Sequence, residues 1–283
     1  MTGERSPRRF PVALGRMAGA GEKTSAAAAG DAARRPATAL IRPQRPVAAA
    51  HADAARVRPA VGLGLDSADV RARMVERLRR DGAGDARVLA AFAEVPRHLF
   101  VDAALATQAY EDTSLPIGHG QTISKPSVVA RMLELLFGGA NAQAQGHLGA
   151  VLEIGSGCGY QAALLCRLGR RVVSVERLRP LHDKARTLLA AMRETRLRLV
   201  YGDGVLGHAP GAPYDSIVAA AGGSEVPQAW LDQLAVGGRL VSPVQEPGGR
   251  GQMLVVVDRH ADGFARTQHG AVKFVPLKSG LAR

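Results

Sequence analysis

Three glycines at alternate positions, Gly155, Gly157 and Gly159, directly follow an apolar run in the segment V-L-E-I-G-S-G-C-G-Y. Glycine permits sharp turns and lets a ligand approach bare backbone, and the helical pattern that follows offers unpaired N–H groups at a helix start. Pyrophosphate-binding dinucleotide folds use G-x-G-x-x-G instead. The spacing here, with Glu153 just before the turn, predicts a cofactor cradle without a pyrophosphate site. The alternative is a tight turn that binds nothing.

Two acidic residues follow at the ends of the next predicted strands. Glu176 ends R-V-V-S-V-E-R, about twenty residues after the first glycine, where a carboxylate can accept hydrogen bonds from both hydroxyls of a ribose. Asp203 follows L-R-L-V-Y-G, where it can accept a hydrogen bond from an adenine amino group. Taken singly, the two residues are also typical of a solvated strand end and of a turn. In series after the glycine loop, they favour a nucleoside site.

Residues 1–65 differ in composition from the rest of the chain. They are rich in Ala, Arg, Pro and Gly and show no sustained apolar period. Eleven Lys and Arg against four Asp and Glu place more than half of the chain's net charge of +12 in this segment. We predict that residues 1–65 form a disordered basic tail and that residues 66–283 form the folded domain.

The basic charge does not by itself predict a nucleic-acid-binding protein. The tail lacks interleaved aromatic residues for base stacking and any groove-reading motif, so we expect no specific nucleic-acid partner. Glu4, Glu22 and Asp31 argue against a transit peptide, and no apolar run near the N-terminus suits a signal peptide. We expect no membrane partner, because no stretch is apolar over a sufficient length.

The two cysteines, Cys158 and Cys166, fall beside or within one predicted helix. Eight helical residues separate them by roughly 12 Å, which is too far for a disulfide. We therefore expect a reducing, cytoplasmic environment. Packing is the favoured role for Cys158, because no histidine is adjacent to activate its thiol.

The hydrophobic pattern predicts an α/β protein with a doubly wound, seven-stranded mixed sheet and N-terminal helices. Residues 66–137 carry the N-terminal helices and an irregular loop, and residues 150–283 alternate strand and helix. The helices include Asp183–Met192 and Pro227–Leu234. A polar loop, H-A-D-G-F, predicts an antiparallel hairpin at the end of the sheet. The expected strands are Val151–Ile154, Val172–Glu176, Leu197–Tyr201, Ser216–Ala220, Arg239–Pro243, Met253–Asp258 and Val272–Pro276.

The glycine loop resembles the first motif of methyltransferases that use S-adenosylmethionine. Over residues 70–280 the order and spacing of V-P-R-H-L-F-V, A-Y-E-D, L-P-I-G-H-G-Q-T-I-S-K-P, E-I-G-S-G-C-G-Y-Q, S-V-E-R, G-D-G and F-V-P-L resemble the protein-L-isoaspartate O-methyltransferase family. The resemblance implies transfer of a methyl group from S-adenosylmethionine to the α-carboxylate of L-isoaspartyl residues in damaged proteins and peptides. It implies a role in protein repair and no metal.

The resemblance also implies the site residues. Ser124 is expected to contact the isoaspartyl carboxylate, although without the resemblance a serine two residues before Pro126 is more typical of a helix cap. His119 is expected to be a solvent-facing loop residue. We expect Glu176 at the ribose and Asp203 at the adenine. The full set of expected cofactor-binding residues is Thr122, Ile123, Glu153, Gly155, Ser156, Gly157, Gly159, Glu176, Asp203 and Gly204.

One segment departs from the family pattern. The family often has T-A-A-P-x-x-I-P after the fourth strand, whereas this chain reads A-A-A-G-G-S-E-V-P. We expect Gly222 and Gly223 to loosen that turn. Two alternatives remain: a small-molecule methyltransferase with the same cofactor, and a non-catalytic cofactor-binding protein.

Overall fold

The computed structural model describes residues 68–246, 248–249 and 251–282, so the predicted tail lies outside the described residues. A seven-stranded sheet has the strand order β5-β4-β3-β6-β7-β8-β9. The first five strands in that order run parallel to one another. Strand β8 pairs antiparallel with β7, and β9 pairs antiparallel with β8. A separate antiparallel hairpin, β1-β2, precedes the sheet in the chain. The strands are β1 Leu115–Gly118, β2 Gln121–Ile123, β3 Ala150–Ile154, β4 Arg171–Glu176, β5 Leu197–Tyr201, β6 Tyr214–Ala219, β7 Leu234–Gln245, β8 Gln252–His260 and β9 Gly263–Val272.

Seven α-helices occur among the described residues, joined by short 3₁₀ turns. Among these helices none is long and apolar enough to cross a membrane. The helices are α1 Ala68–Arg80, α2 Ala86–Glu94, α3 Pro126–Phe137, α4 Ala140–Gln145, α5 Tyr160–Leu168, α6 Arg179–Ala191 and α7 Gln228–Gln233.

The central strand β3 has apolar residues on both of its faces, as a strand covered by helices on both sides requires. Val151 packs into the core formed with α1, α2, α3, α5 and α6. Leu152 and Ile154 pack into the opposite core, which contains Trp230 of α7. This arrangement fixes the carboxyl ends of the parallel strands at one edge of the molecule, where α/β proteins bind their ligands.

The observed architecture confirms the predicted fold class, but the last strand was predicted in the wrong place. The structure has β9 at Gly263–Val272, and residues 273–275 are irregular. The sequence pattern missed this strand because β9 lies at the edge of the sheet and most of its side chains are exposed. The predicted hairpin is present, since β8 ends at His260 and β9 begins three residues later.

Candidate functional site

A cavity opens at the carboxyl ends of β3, β4 and β6. It is bounded by the glycine loop after β3, the β1-β2 hairpin and the first four residues of a C-terminal segment, residues 275–282. Of the expected site residues, it brings together Thr122, Ile123, Ser124, Gly155, Ser156, Gly157, Glu176 and Gly204. It does not include Glu153, Gly159 or Asp203 among its lining residues.

The glycine loop turns sharply as its sequence predicts. Gly155, Gly157 and Gly159 have φ of +87°, +54° and +91°, in the left-handed region that favours glycine. The first two line the cavity, but Gly159 is the N-cap residue of α5. A Cβ atom at Gly159 would lie 2.7 Å from Cδ1 of Leu189 in α6. Gly159 therefore allows close packing of the two helices.

Glu176 ends β4 and faces the cavity with only 5% of its surface exposed. One carboxylate oxygen accepts a hydrogen bond from the Gly157 N–H and the other from the Leu178 N–H, both at 2.9 Å. These bonds fix the orientation of the carboxylate, and each oxygen keeps a further lone pair. The Glu176 side chain can thus accept hydrogen bonds from two adjacent hydroxyl groups.

Glu153 lies fully buried behind the glycine loop, in a small polar cluster. Its Oε2 accepts a hydrogen bond from Ser174, whose hydroxyl also lies 2.5 Å from that of Ser156. The pKa of Glu153 is raised to about 8, chiefly by burial and also by the nearby charge of Glu176, while the interactions with Ser174 and Gln161 oppose this rise. Glu153 Oε1 and the Gln161 amide nitrogen are buried and form no well-aligned hydrogen bond among the described residues, but the Gln161 side chain interacts with the Glu153 carboxyl group.

Asp203 and Gly204 follow β5 at the other end of the cavity. The Asp203 carboxylate accepts hydrogen bonds from the N–H groups of Val205, at 2.9 Å, and Gly280, at 2.6 Å. It thereby connects the turn after β5 to the C-terminal segment. Gly204 lines the cavity, and its carbonyl accepts a hydrogen bond from the Trp230 indole at 2.8 Å. The contact of Asp203 with adenine stays a prediction.

Ser124 directly follows β2 and lines the cavity. The N-cap residue of α3 is Lys125, with no side-chain cap hydrogen bond, so Ser124 is not the cap. The first turn of α3 is instead held by Asp112, which accepts hydrogen bonds from both the N–H and the hydroxyl of Ser127. His119, at the exposed tip of the hairpin, has φ of +54° and also borders the cavity.

The turn after β6, which contains Gly222 and Gly223, is hydrogen-bonded to two other segments. The Gly222 N–H donates to the Val275 carbonyl, and the Gly222 carbonyl accepts from the Leu277 N–H, at 2.9 and 2.8 Å. The Gly223 carbonyl accepts from the Gln245 N–H at 2.9 Å. These backbone hydrogen bonds connect the turn to two distant segments of the chain, and its loosening by the two glycines stays a prediction.

The C-terminal segment crosses the carboxyl ends of the parallel strands, a feature that sequence reasoning missed. Arg177 donates from Nε to the Gly280 carbonyl at 2.8 Å, and its own carbonyl accepts from the Ala282 N–H at 2.9 Å. The F-V-P-L block was the only signal for it. Four consecutive residues of the segment line the cavity: Val275, Pro276, Leu277 and Lys278.

These features fit S-adenosylmethionine. The glycine loop provides open backbone beside the cavity, and Glu176 presents two oriented acceptors for a ribose. The Gln161 side chain on the cavity wall also carries an amide group that can donate hydrogen bonds. Sheet and site together define a methyltransferase that uses S-adenosylmethionine.

The chain belongs to the protein-L-isoaspartate(D-aspartate) O-methyltransferase family, whose model matches residues 69–282. A relative from Methylibium petroleiphilum, a protein-L-isoaspartate O-methyltransferase, is 58% identical over 98% of both chains. Another from Leptothrix cholodnii, with the same name, is 62% identical over 85% of this chain and 84% of its own. The Methylibium alignment therefore extends into the N-terminal 65 residues.

Solved structures agree. One protein-L-isoaspartate O-methyltransferase superimposes with a TM-score of 0.66 and 29% identity, covering 75% of this chain and 67% of that one. A Plasmodium falciparum protein assigned to the same enzymes, in complex with S-adenosyl-L-homocysteine, gives a TM-score of 0.60 at 23% identity. It covers 73% of this chain and 97% of that one and supports the fold. The resemblance drawn from the sequence is confirmed.

Proposed function

We propose that the cavity binds S-adenosylmethionine and presents its methyl group to the α-carboxylate of an L-isoaspartyl residue in a damaged protein or peptide. The observation that carries this proposal is the position of Ser124. It lines the same cavity as the glycine loop and Glu176, on the side formed by the β1-β2 hairpin. A substrate group bound at Ser124 therefore shares one enclosed space with the cofactor.

The reaction requires no general base. A carboxylate with a pKa near 4 is ionised at neutral pH, so the substrate itself provides the nucleophile. When bound, the cofactor provides a methyl group on a positively charged sulfur. A carboxylate oxygen forms the new bond to the methyl carbon, and the electrons of the breaking carbon–sulfur bond pass to sulfur. The products are a methyl ester and S-adenosylhomocysteine.

The protein's contribution is to hold the reacting groups in line and to exclude water. Ser124 orients the carboxylate by donating a hydrogen bond from its hydroxyl, without transferring a proton. Thr122 and Ile123 contact the cofactor through backbone atoms, and Glu176 accepts from its ribose. Leu277, in the C-terminal segment, covers the cavity from the opposite side.

The direct test is transfer of labelled methyl groups to a pair of peptides that differ only in an aspartyl or isoaspartyl linkage. We expect label in the isoaspartyl peptide alone. If label enters neither peptide but does enter small carboxylic acids, the result would favour a small-molecule methyltransferase instead.

Ser124→Ala tests the assignment of the nucleophile site, and Ser127→Ala is the matched control. Both remove a hydroxyl from the same segment, but that of Ser127 is bonded to Asp112. We expect Ser124→Ala to lower kcat by tenfold or more with unchanged affinity for S-adenosylhomocysteine and an unchanged acid side of the pH profile. If the Ser124→Ala variant turns over at the wild-type rate, Ser124 has no part in the mechanism.

We also propose a cytoplasmic location with proteins, and no specific nucleic acid, as partners. The two cysteines support a reducing compartment, because both are buried and unpaired. Burial raises the pKa of the Cys158 thiol to about 11, which keeps it protonated and unreactive.

A further inference from the structure

Arg97 is a fully buried arginine that forms no direct ion pair among the described residues, and the carboxylate of Asp112 acts on it only through its charge at longer range. It follows Pro96 in a 3₁₀ turn, and none of its surface is exposed. It forms no ion pair with the acidic residues in the described part of the chain. An isolated charge in a protein interior is costly, so a buried arginine normally has a counter-ion.

The contacts of Arg97 lead to the substrate side of the cavity. Its Nη2 donates to the carbonyl of Ser124 at 2.7 Å, and its Nε donates to the carbonyl of Ala109 at 2.7 Å. The guanidinium carbon lies 4.7 Å from the centroid of the Tyr160 ring. Both Ser124 and Tyr160 line the cavity, so the guanidinium stands directly behind its wall.

These contacts do not use the whole charged group. Arg97 Nη1 and the Tyr160 hydroxyl are buried, and neither makes a well-aligned hydrogen bond with the described residues, although the two side chains interact with each other. A neutral glutamine has enough donors for two backbone carbonyls. The positive charge therefore exceeds what the fold requires at this position. Desolvation lowers the pKa of Arg97, although arginine remains charged in proteins.

We infer that Arg97 is the positioning residue for the substrate carboxylate and that its buried charge attracts the isoaspartyl α-carboxylate through the cavity wall. The hydrogen bond to the Ser124 carbonyl fixes the backbone that carries the serine hydroxyl. The charge behind the wall then favours an ionised ligand over a neutral one of the same shape. This inference rests on the proposed function and adds the source of its selectivity for an anion.

The experiment compares an L-isoaspartyl peptide with the same peptide bearing an α-carboxamide, as ligands of the enzyme saturated with S-adenosylhomocysteine. At an effective dielectric constant of about 20, even a unit charge as far as roughly 10 Å from a carboxylate alters the affinity for that carboxylate by more than tenfold. We expect Arg97→Gln to reduce the carboxylate-to-carboxamide preference by about tenfold, with little change in carboxamide binding. Arg97→Lys retains the charge and should retain most of the preference, while lowering kcat.

A purely structural role predicts a different result, because loss of the backbone contacts would weaken both peptides equally. An unchanged preference in Arg97→Gln, or its loss in Arg97→Lys, would overturn the inference. Arg73→Gln, on the exposed surface of α1, controls for net charge. If Arg97→Gln does not fold, the test is the carboxylate-to-carboxamide preference of Arg97→Lys, and loss of that preference would overturn the inference. Failure of the wild-type enzyme to methylate the isoaspartyl peptide would instead refute the proposed function.

Discussion

Replacing Glu153 by glutamine should change how the stability of the protein depends on pH. Glu153 is fully buried, its pKa is raised to about 8 by burial, and its Oε2 accepts a hydrogen bond from Ser174. Glutamine has the shape of the protonated glutamic acid and keeps an acceptor for that bond, but it cannot ionise. The difference between the two proteins therefore isolates the titration of this one carboxyl group.

The sign follows from proton binding. Between the unfolded pKa of about 4.5 and the folded value of about 8, the native state holds a proton that the unfolded chain has released. The stabilising contribution is fully present below the lower pKa and is lost as the pH rises through the upper one. Each pH unit in this window changes the free energy of unfolding by up to about 1.4 kcal/mol. From pH 5.5 to 7.5 the wild type should lose at most about 3 kcal/mol relative to the Glu153→Gln variant.

Urea unfolding of both proteins at four pH values between 5 and 8.5 measures this difference. Glu225→Gln, at an exposed position, is the matched control and should follow the wild type throughout. A constant difference between wild type and Glu153→Gln across pH 5.5 to 7.5 would show that Glu153 is ionised in the native protein. That result would refute our assignment of a neutral carboxyl group beneath the glycine loop.

Three further predictions concern the cavity and the chain around it. Glu176→Ala should weaken binding of S-adenosylhomocysteine by about 1–3 kcal/mol in calorimetric titration, through the loss of charge-assisted hydrogen bonds; unchanged affinity would contradict our placement of the ribose. Gly159→Ala should lower the free energy of unfolding by about 2 kcal/mol or more, because it adds left-handed strain to a 2.7 Å contact with Leu189. If the Gly159→Ala variant has the same urea midpoint as the wild type, α5 and α6 can move apart at little cost in stability. Removal of residues 1–65 should leave kcat/KM and the melting temperature within error of the full chain, since the family match begins at residue 69; a clear loss of either would assign the tail a role in the folded domain.

The sequence alone determined the parts of this protein that depend on short-range patterns. The turn at Gly155 and Gly157 follows from glycine's access to positive φ, and the carboxylate of Glu176 follows from its place at the end of an apolar strand. Continuous apolar runs predicted the buried parallel strands. These signals are local, and together they were sufficient for the fold class and the cofactor.

Features that depend on partners far apart in the sequence become visible only in the folded protein. An arginine is expected at the surface, and the burial of Arg97 becomes visible only when the chain brings Ser124 and Tyr160 around it. The C-terminal segment is held by backbone hydrogen bonds to residues about a hundred positions away, such as Arg177, and side-chain periodicity does not encode those bonds. Strand β9 lacks a periodic apolar signal because only one of its edges is paired and its side chains face water.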